Sequence, residues 1–501
     1  MRYRAVASDA LTSADLDALP YGRIGDAVGL VPYILGGGDG TPFVSDRGLG
    51  GGAAIVVDDG ASVPNLAPLA TGFADFPDRY ARRVDISRAD RAFLYGGSGG
   101  AGRIALDELG NASTADLDAG AARDVVIASM IGSFHVGSGV SSDDGTIARR
   151  ADVDLTRAFA GGELRIGATA ASQAFDTRSA TRRVDDVRLA YVTASRRFST
   201  SADASESTVD FAIDSGGAVA YHTRYFDTDF RIEHAGPVSL AAGLRTSIRS
   251  LTYAPPDVRF GRNGRTDDET AYVEARTTIG ALATHVALGG DRIGVADFAK
   301  NRTHATVEMT LSPEFDARVE LGGGAFARIG YAQSARLPTL ARTVGGVATN
   351  YAYAGSLERA ALLDSALGFD SGNRVRGELV AYRERTHGAD SRELVGLGLS
   401  FAWEVAPRLS LRAWTLHAAP QISGAYAPGF DATTRGVAWV SYDSGSVRID
   451  AIAHRDVVAT GGAITGIDGD LNVRVASGVT FDIGTFRRAG TQRYALGVRV
   501  R

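Results

Sequence analysis

From Arg123 to Arg501 the apolar residues recur at every second position, and no helical period interrupts them. A chain patterned this way is committed to strands with two unlike faces, because successive side chains of a strand point to opposite sides. In ELRIGATAA (163–171), Leu164, Ile166, Ala168 and Ala170 face one way, and Glu163, Arg165, Gly167 and Thr169 the other. ETAYVEARTTI (269–279) sets Ala271, Val273, Ala275, Thr277 and Ile279 against Glu274 and Arg276. SVRIDAIAHR (446–455) sets Val447, Ile449, Ala451 and Ala453 against Arg448, Asp450 and His454. The closing RYALGVRVR places Tyr494, Leu496, Val498 and Val500 opposite Arg493, Arg499 and Arg501. Turn signals separate such runs: SSDDG (141–145), APPD (254–257), DSGN (370–373) and DSGS (443–446).

Alternation over roughly ten residues, repeated some twenty times without a helix, is the pattern of a large antiparallel barrel. Soluble propellers and sandwiches also alternate. Here the polar face carries Arg and Glu in strand centres, as a wet lumen requires, and no blade-length repeat is visible. A membrane crossing takes about 9–11 residues, so residues 120–501 predict about 20–22 strands with short connections. No run of 18 apolar residues exists that would make a transmembrane helix.

Composition supports the reading. Sixty-two glycines against 14 prolines point to tight turns and close backbone approaches rather than long helices. The chain has no cysteine, which removes disulfides, thiolate catalysis and cysteine metal sites. The net charge of -5 over 501 residues carries no nucleic-acid signature. Lys300 is the only lysine, so arginine supplies nearly every cation, a residue suited to paired carboxylates.

Residues 1–115 have a different grammar and predict a small α+β domain. Apolar runs are short and alternate with glycine-rich segments at 32–40, 47–60 and 95–102. A helix is expected over 10–30, a buried strand over 54–57 closed by Asp58-Asp59-Gly60, and a linker over 111–120. The loop FLYGGSGGAGRI (93–104) satisfies two catalytic patterns at once. Gly96-Gly97-Ser98-Gly99-Gly100 fits a nucleophile elbow with Ser98 as nucleophile, and Gly97, Gly99 and Gly102 fit a dinucleotide loop. Each needs a strand before it and a helix after it in an α/β sheet. The sequence after Ser98 has no helical period, and the eight histidines are scattered singly from His135 to His454. Both matches are therefore read as accidental; no enzyme, cofactor or metal site is expected, and the histidines are assigned to lumen or loop positions.

RRVDISRADRAFLYGGSGGAGRIALDE (82–108) resembles the end of the plug domain of TonB-dependent outer-membrane receptors. Arg83, Asp85 and Arg88 fall on that family's Arg, Glu and Arg, Leu94-Tyr95-Gly96 matches directly, and Gly102 and Ile104 fall on its late Gly and Ile. Ala89-Asp90 stands where the family has Gly-Pro. Upstream, DRGLGGGAAIVVDDG (46–60) is similar to its Arg-Gly segment and Asp-Gly turn, with Arg47, Gly48, Asp59 and Gly60 as matching positions. DALPYGRIGDAVGLVPYI (17–34) resembles the first plug helix. In the barrel, GYAQSARLPTLAR (330–342) resembles a family strand motif through Ser334, Arg336 and Pro338, with Ala335 in place of an aromatic.

The resemblance implies a plug, residues 1–115, held inside a transmembrane barrel, residues 120–501, in the bacterial outer membrane. A domain wedged in a polar lumen must be held by polar contacts. Arg47, Arg83, Arg88, Arg91 and Arg103, with Asp85, are the candidates for pairing with the inner wall. The implied function is energised uptake of a scarce nutrient, a siderophore-iron complex or similar small molecule or metal chelate. The implied partner is a TonB-type inner-membrane coupling protein engaging the N-terminal segment. A passive or plugged porin-like channel, or a barrel adhesin, is the alternative. Residues 32–42 and 65–79 are the expected apical segments. MRYRAVASDALTSADLDALP lacks the apolar core of a secretory signal, which is expected from reading frame upstream of Met1 or from processing. Arg501 stands where outer-membrane barrels usually end in an aromatic.

Overall fold

The computed structural model describes 8–12, 15–16, 30–36, 44–46, 55–58, 61–63, 81–87 and 103–108 of the N-terminal region. It also describes 114–336 and 358–500, apart from connecting segments at 121, 132, 144–145, 176–179, 196, 213–217, 255–261, 300–301, 373, 388–390, 424–431, 459–462 and 489–490. From Thr114–Gly120 to Thr491–Val500, twenty-two strands follow one another, each antiparallel to its neighbour, and close into one barrel. The seam pairs the last strand with the first, Val498 opposite Leu117 and Arg499 opposite Asp116. The segment expected to be a linker at 111–120 therefore supplies the first staple of the barrel. Its residues TADLDAG alternate once extended, and closure gives their backbone groups partners on both sides.

Polarity across the wall is the reverse of a water-soluble protein's. In the strand Val238–Ala254, Leu244 is 59% exposed while its neighbour Arg245 is 5% exposed; in Arg262–Ile279, Val273 is 56% and Glu274 4%. The outer face carries Leu, Val, Ile and Phe, including Leu288, Leu311, Leu367, Leu397 and Ile483. The inner face carries Asp152, Asp268, Asp291, Glu314, Asp316, Arg328, Asp364 and Asp450, all buried. Only a barrel with lipid outside and a polar interior reconciles those two facts. The alternations read at 163–170, 269–279, 446–455 and 494–500 fall on the faces the sequence assigns them.

The two ends of the barrel differ. One end is closed by tight turns, such as Ala160-Gly161, where both residues have positive φ (46° and 76°) as a two-residue hairpin demands. The two Asp-Ser-Gly signals fold alike at this end. Asp370 Oδ1 accepts the Gly372 N–H at 2.8 Å and Asp443 Oδ1 accepts the Gly445 N–H at 2.7 Å, with φ of 88° and 86° at the glycines. Ser371 and Ser444 then accept the N–H of Val375 and Val447, each at 3.0 Å. Connections at the other end vary more, from the single residue between Gly120 and Ala122 to the longest, which joins Arg336 to Glu358. Phe134, Phe159, Phe369, Trp403, Tyr442 and Phe481 lie beside the tight turns and point outward. They form the girdle of aromatic rings that marks a membrane–water boundary in outer-membrane barrels.

The N-terminal region contributes a five-stranded sheet in the order Ser8–Thr12, Ala81–Ser87, Arg103–Glu108, Ile55–Asp58, Ala61–Val63. Ile55–Asp58 and Arg103–Glu108 run parallel, and the other pairs are antiparallel. Ser8–Thr12 corrects the expectation of a helix beginning at Ala10: this segment is an edge strand, Leu11 facing Val84 across the pair. Partnership with Ala81–Ser87 overrides the local helical signal; among the described residues of 10–30, helix is confined to Asp15 and Leu16. The expected strand at 54–57 is present as Ile55–Asp58 and turns back into Ala61–Val63. A two-stranded ribbon pairs Ile34–Gly36 with Val44–Asp46.

The outer face predicts a steep penalty for charge. Leu397→Arg, in mid-strand and 54% exposed, should lower stability in liposomes by about 2–4 kcal/mol, while Leu397→Phe should leave it nearly unchanged. Urea unfolding midpoints measure both; equal midpoints would mean that this face does not meet hydrocarbon.

Candidate functional site

The site is the lumen and the N-terminal region lodged in it. Ile34–Gly36 meets the wall strand Ala432–Asp443, and Ala61–Val63 meets Phe198–Ala212. Those two wall strands are eleven places apart in a ring of twenty-two, so the inserted domain spans the lumen from one side to the other.

On one side the seat is dry. Leu16, Leu30, Val31 and Tyr33 are buried, as are the wall residues Val380, Leu394, Leu416, Val437 and Trp439. Trp414 donates its indole N–H to the Leu30 carbonyl at 2.8 Å, and its ring meets Tyr33 edge-on with centroids 6.4 Å apart. Tyr33 donates its hydroxyl to the Glu378 carbonyl at 3.3 Å. A glycine makes room for the ring: a Cβ at Gly398 would stand 2.5 Å from Tyr33 Cε1. Tyr33 itself has φ 69°, a left-handed conformation that a bulky residue keeps only when its surroundings hold it. Nearer the tight turns, Asp15 sits 3.1 Å from Arg412 and 4.0 Å from Arg448. Arg448 is shared with Asp450 at 2.8 Å, which in turn accepts the Trp439 indole N–H at 2.7 Å.

Elsewhere the wall is a set of connected charges. Glu274 accepts from Arg231, from Arg276 at 2.6 Å and meets His285 Nε2 at 3.0 Å; His285 Nδ1 meets Glu314 at 3.1 Å. Asp291 accepts the hydroxyls of Thr270 and Ser312, both at 2.8 Å. Arg328 bridges Asp364 and, at 3.7 Å, Asp316. Arg188 reaches Thr169 at 3.0 Å and Asp154 at 3.4 Å. Such pairs are costly in a dry interior and are best tolerated where a charge is multiply bonded, as Glu274 and Asp291 are. Among the described residues no group of three or more His, Asp or Glu is placed to hold a metal ion. His285 and His454 face the lumen, but His417 lies on the outer face, hydrogen-bonded to Thr434 Oγ1 at 2.8 Å.

Of the residues singled out from sequence, Arg83, Asp85 and Ile104 lie on paired strands of the inserted sheet, Asp85 opposite Ala105 and Arg103 opposite Ser87. Ser334 and Arg336 close the strand Ala325–Arg336. Arg47, Gly48, Asp59, Gly60, Arg88, Arg91, Leu94, Tyr95, Gly96, Gly102 and Pro338 lie outside the described residues, as does Ser98. Sequence reasoning missed Asp15, Tyr33, Trp414 and Gly398. Aromatics in PYILGGG and RAWTL carry no signal of partnership when they are nearly 400 residues apart, and a glycine in a strand advertises a close approach without saying of what.

No protein-family model matches the chain, nor does any curated protein. Solved structures match over its full length. The alcaligin outer membrane receptor FauA of Bordetella pertussis aligns with 100% of this chain and 95% of its own at 12% identity, TM-score 0.80. The FrpB iron transporter of Neisseria meningitidis aligns over 98% and 99% at 13% identity, TM-score 0.78. The copper transporter OprC aligns over 98% of each chain at 11% identity, TM-score 0.81. The fold is that of the TonB-dependent outer-membrane receptors.

The seat of Tyr33 predicts a coupled pair. Gly398→Val should loosen the inserted domain by about 1–3 kcal/mol through overpacking, and adding Tyr33→Ala should recover much of the loss. The first urea transition of the full chain, followed by protease sensitivity of the N-terminal region, reads this; additive losses would place the ring elsewhere.

Proposed function

We propose that this chain is an outer-membrane receptor that admits a scarce small-molecule nutrient, such as an iron–siderophore complex or another metal chelate, by energised displacement of its plug. The observation that carries the reading is a polar-walled, lipid-faced barrel closed by an inserted domain, in a fold shared end to end with nutrient receptors and transporters. No covalent step is needed, because opening and closing the lumen is the whole reaction. In this reading residues 1–115 are the plug and 120–501 the barrel, with Thr114–Gly120 the junction strand. The tight-turn end faces the periplasm and the end with longer connections faces outward.

The inner coupling partner is a TonB-type protein that takes hold of the chain ahead of Asp15. Ser8–Thr12 is suited to that role, since it is an edge strand paired on one side only and can be released without breaking the rest of its sheet. Arg47, Arg83, Arg88, Arg91 and Arg103 hold the plug against the wall. The pairs of Asp15 with the wall residues Arg412 and Arg448 support plug–wall fastening by charge of this kind.

Deleting residues 1–12 should abolish accumulation of a radiolabelled iron chelate by cells while leaving its binding to them intact. Accumulation that persists without this segment, or without the inner-membrane partner, would make the protein a passive channel. Growth of a deletion strain on defined iron, copper, cobalamin and sugar sources identifies the nutrient.

A further inference from the structure

The lipid-facing wall carries charges of its own, and they lie in a belt away from the tight turns. On the strands Ala180–Thr193 to Leu282–Ala299 they come matched. Arg183 meets Asp185 at 2.8 Å, Arg224 meets Glu206 at 3.6 Å and Arg292 meets Glu269 at 3.3 Å, each pair exposed on the outer face. These arginines stand ten residues from Thr193, His234 and Leu282, where their strands end at the tight turns. A crossing of the hydrocarbon takes about 9–11 residues, so the belt marks the far boundary of the membrane.

The strands Glu358–Asp370 to Val447–Val458 break the matching. Arg359, Arg383, Arg385 and Arg455 point outward there, eight to eleven residues from the tight turns and on the same faces as Leu363, Leu379 and Ile449. Two glutamates answer them. Glu393, opposite Arg385, is shared between Arg383 and, at 3.4 Å, Arg385; Glu308 reaches Arg359 at 3.7 Å. Arg455 is exposed and has no acid partner among the described residues, its cross-strand neighbours being Gly436 and Thr465. Between these basic points lie His417 and Thr434, hydrogen-bonded to each other at 2.8 Å. Arg149 also lacks an acid, but it stands alone, flanked by Val140 and Ser172.

A guanidinium keeps its charge at any ordinary pH, and beside hydrocarbon it needs an anion within reach. Its long stem lets the head extend into the headgroup layer. The anion present along that layer is the lipid phosphate, which a guanidinium grips through two parallel hydrogen bonds. Arg383 and Arg385 are about 7 Å apart along one strand, and Arg455 is four strands away, about 19 Å. They are separate points for separate phosphates, with His417 and Thr434 offering hydrogen bonds between them.

We propose that the outer wall from Val375–His387 to Val447–Val458 binds a phosphate-bearing lipid of the outer leaflet, its phosphates held by Arg383, Arg385 and Arg455. The inner face of the same wall seats Tyr33, through the Glu378 carbonyl, Gly398 and Trp414, so the lipid backs the strands on which the inserted domain rests. Placement in the outer leaflet rests on the orientation proposed above; the binding of lipid phosphate does not.

The full-length protein in nonionic detergent micelles is titrated with diphosphorylated lipid A, bound lipid is counted by native mass spectrometry, and folding is checked by heat-modifiable migration on gels. The triple variant Arg383→Gln, Arg385→Gln, Arg455→Gln should bind about tenfold more weakly. Arg183→Gln, Arg224→Gln, Arg292→Gln, an equal change in net charge, should stay within about twofold of the native chain. Lipid A stripped of both phosphates, with its acyl chains intact, should bind the native protein about tenfold more weakly than the intact lipid. If the first triple fails to fold, Arg455→Gln alone, which leaves no acid without its partner, should weaken binding about threefold. Equal weakening in the two triples, or equal binding of the stripped lipid, would overturn the proposal. So would displacement of the lipid by millimolar inorganic phosphate, which would make this an ion site. Neither a nutrient nor a coupling protein takes part, so the outcome is separate from that of the uptake assays.

Discussion

A backbone passing through hydrocarbon finds no water to satisfy its N–H and C=O groups, and each unpaired group costs several kcal/mol. Closing a sheet on itself answers that demand, and nearly everything else in this protein follows from the closure. Once Thr491–Val500 pairs with Thr114–Gly120, no edge remains, every strand has a lipid face and a lumen face, and polarity must invert across a single layer. The adjacent pair Leu244 and Arg245 shows how sharp the inversion is.

A ring of this size encloses more space than its own side chains fill, so without an occupant it would be an open aqueous channel. The wall is tailored for close contact in two ways. Lumen-facing rings lie over glycines directly across the sheet, Tyr272 over Gly243, Phe326 over Gly368 and Tyr382 over Gly396, where any Cβ would collide. The occupant supplies one such ring itself, Tyr33 over Gly398. Ion pairs do the rest, and their multiple bonding gives orientation more than net stability.

Much of this was legible in the sequence. Period-two patterning revealed the barrel, its faces and the approximate number of strands, because burial on one side dictates every second residue. The Asp-Ser-Gly turns were legible because a positive φ at Gly372 and Gly445 and a side-chain acceptor two residues earlier are local requirements. Ser8–Thr12 was not, since its partner lies more than seventy residues downstream and local spacing suggested a helix. Thr114–Gly120 passed for a linker because its polar composition makes a strand only once the barrel closes around it. Asp15, bonded to arginines at 412 and 448, is invisible for the same reason: a contact between two folded units leaves no periodic trace in either.

The inversion of polarity across the wall is the claim on which the account stands, and nitroxide scanning of Leu240, Ala241, Ala242, Gly243, Leu244, Arg245, Thr246 and Ser247 in liposomes tests it most directly. Labels at the even positions should be relaxed strongly by oxygen dissolved in lipid and weakly by a water-soluble nickel chelate, and those at the odd positions should not, giving a period of two through the strand. Uniform accessibility to the nickel chelate at all eight positions would show a sheet surrounded by water and would contradict the account.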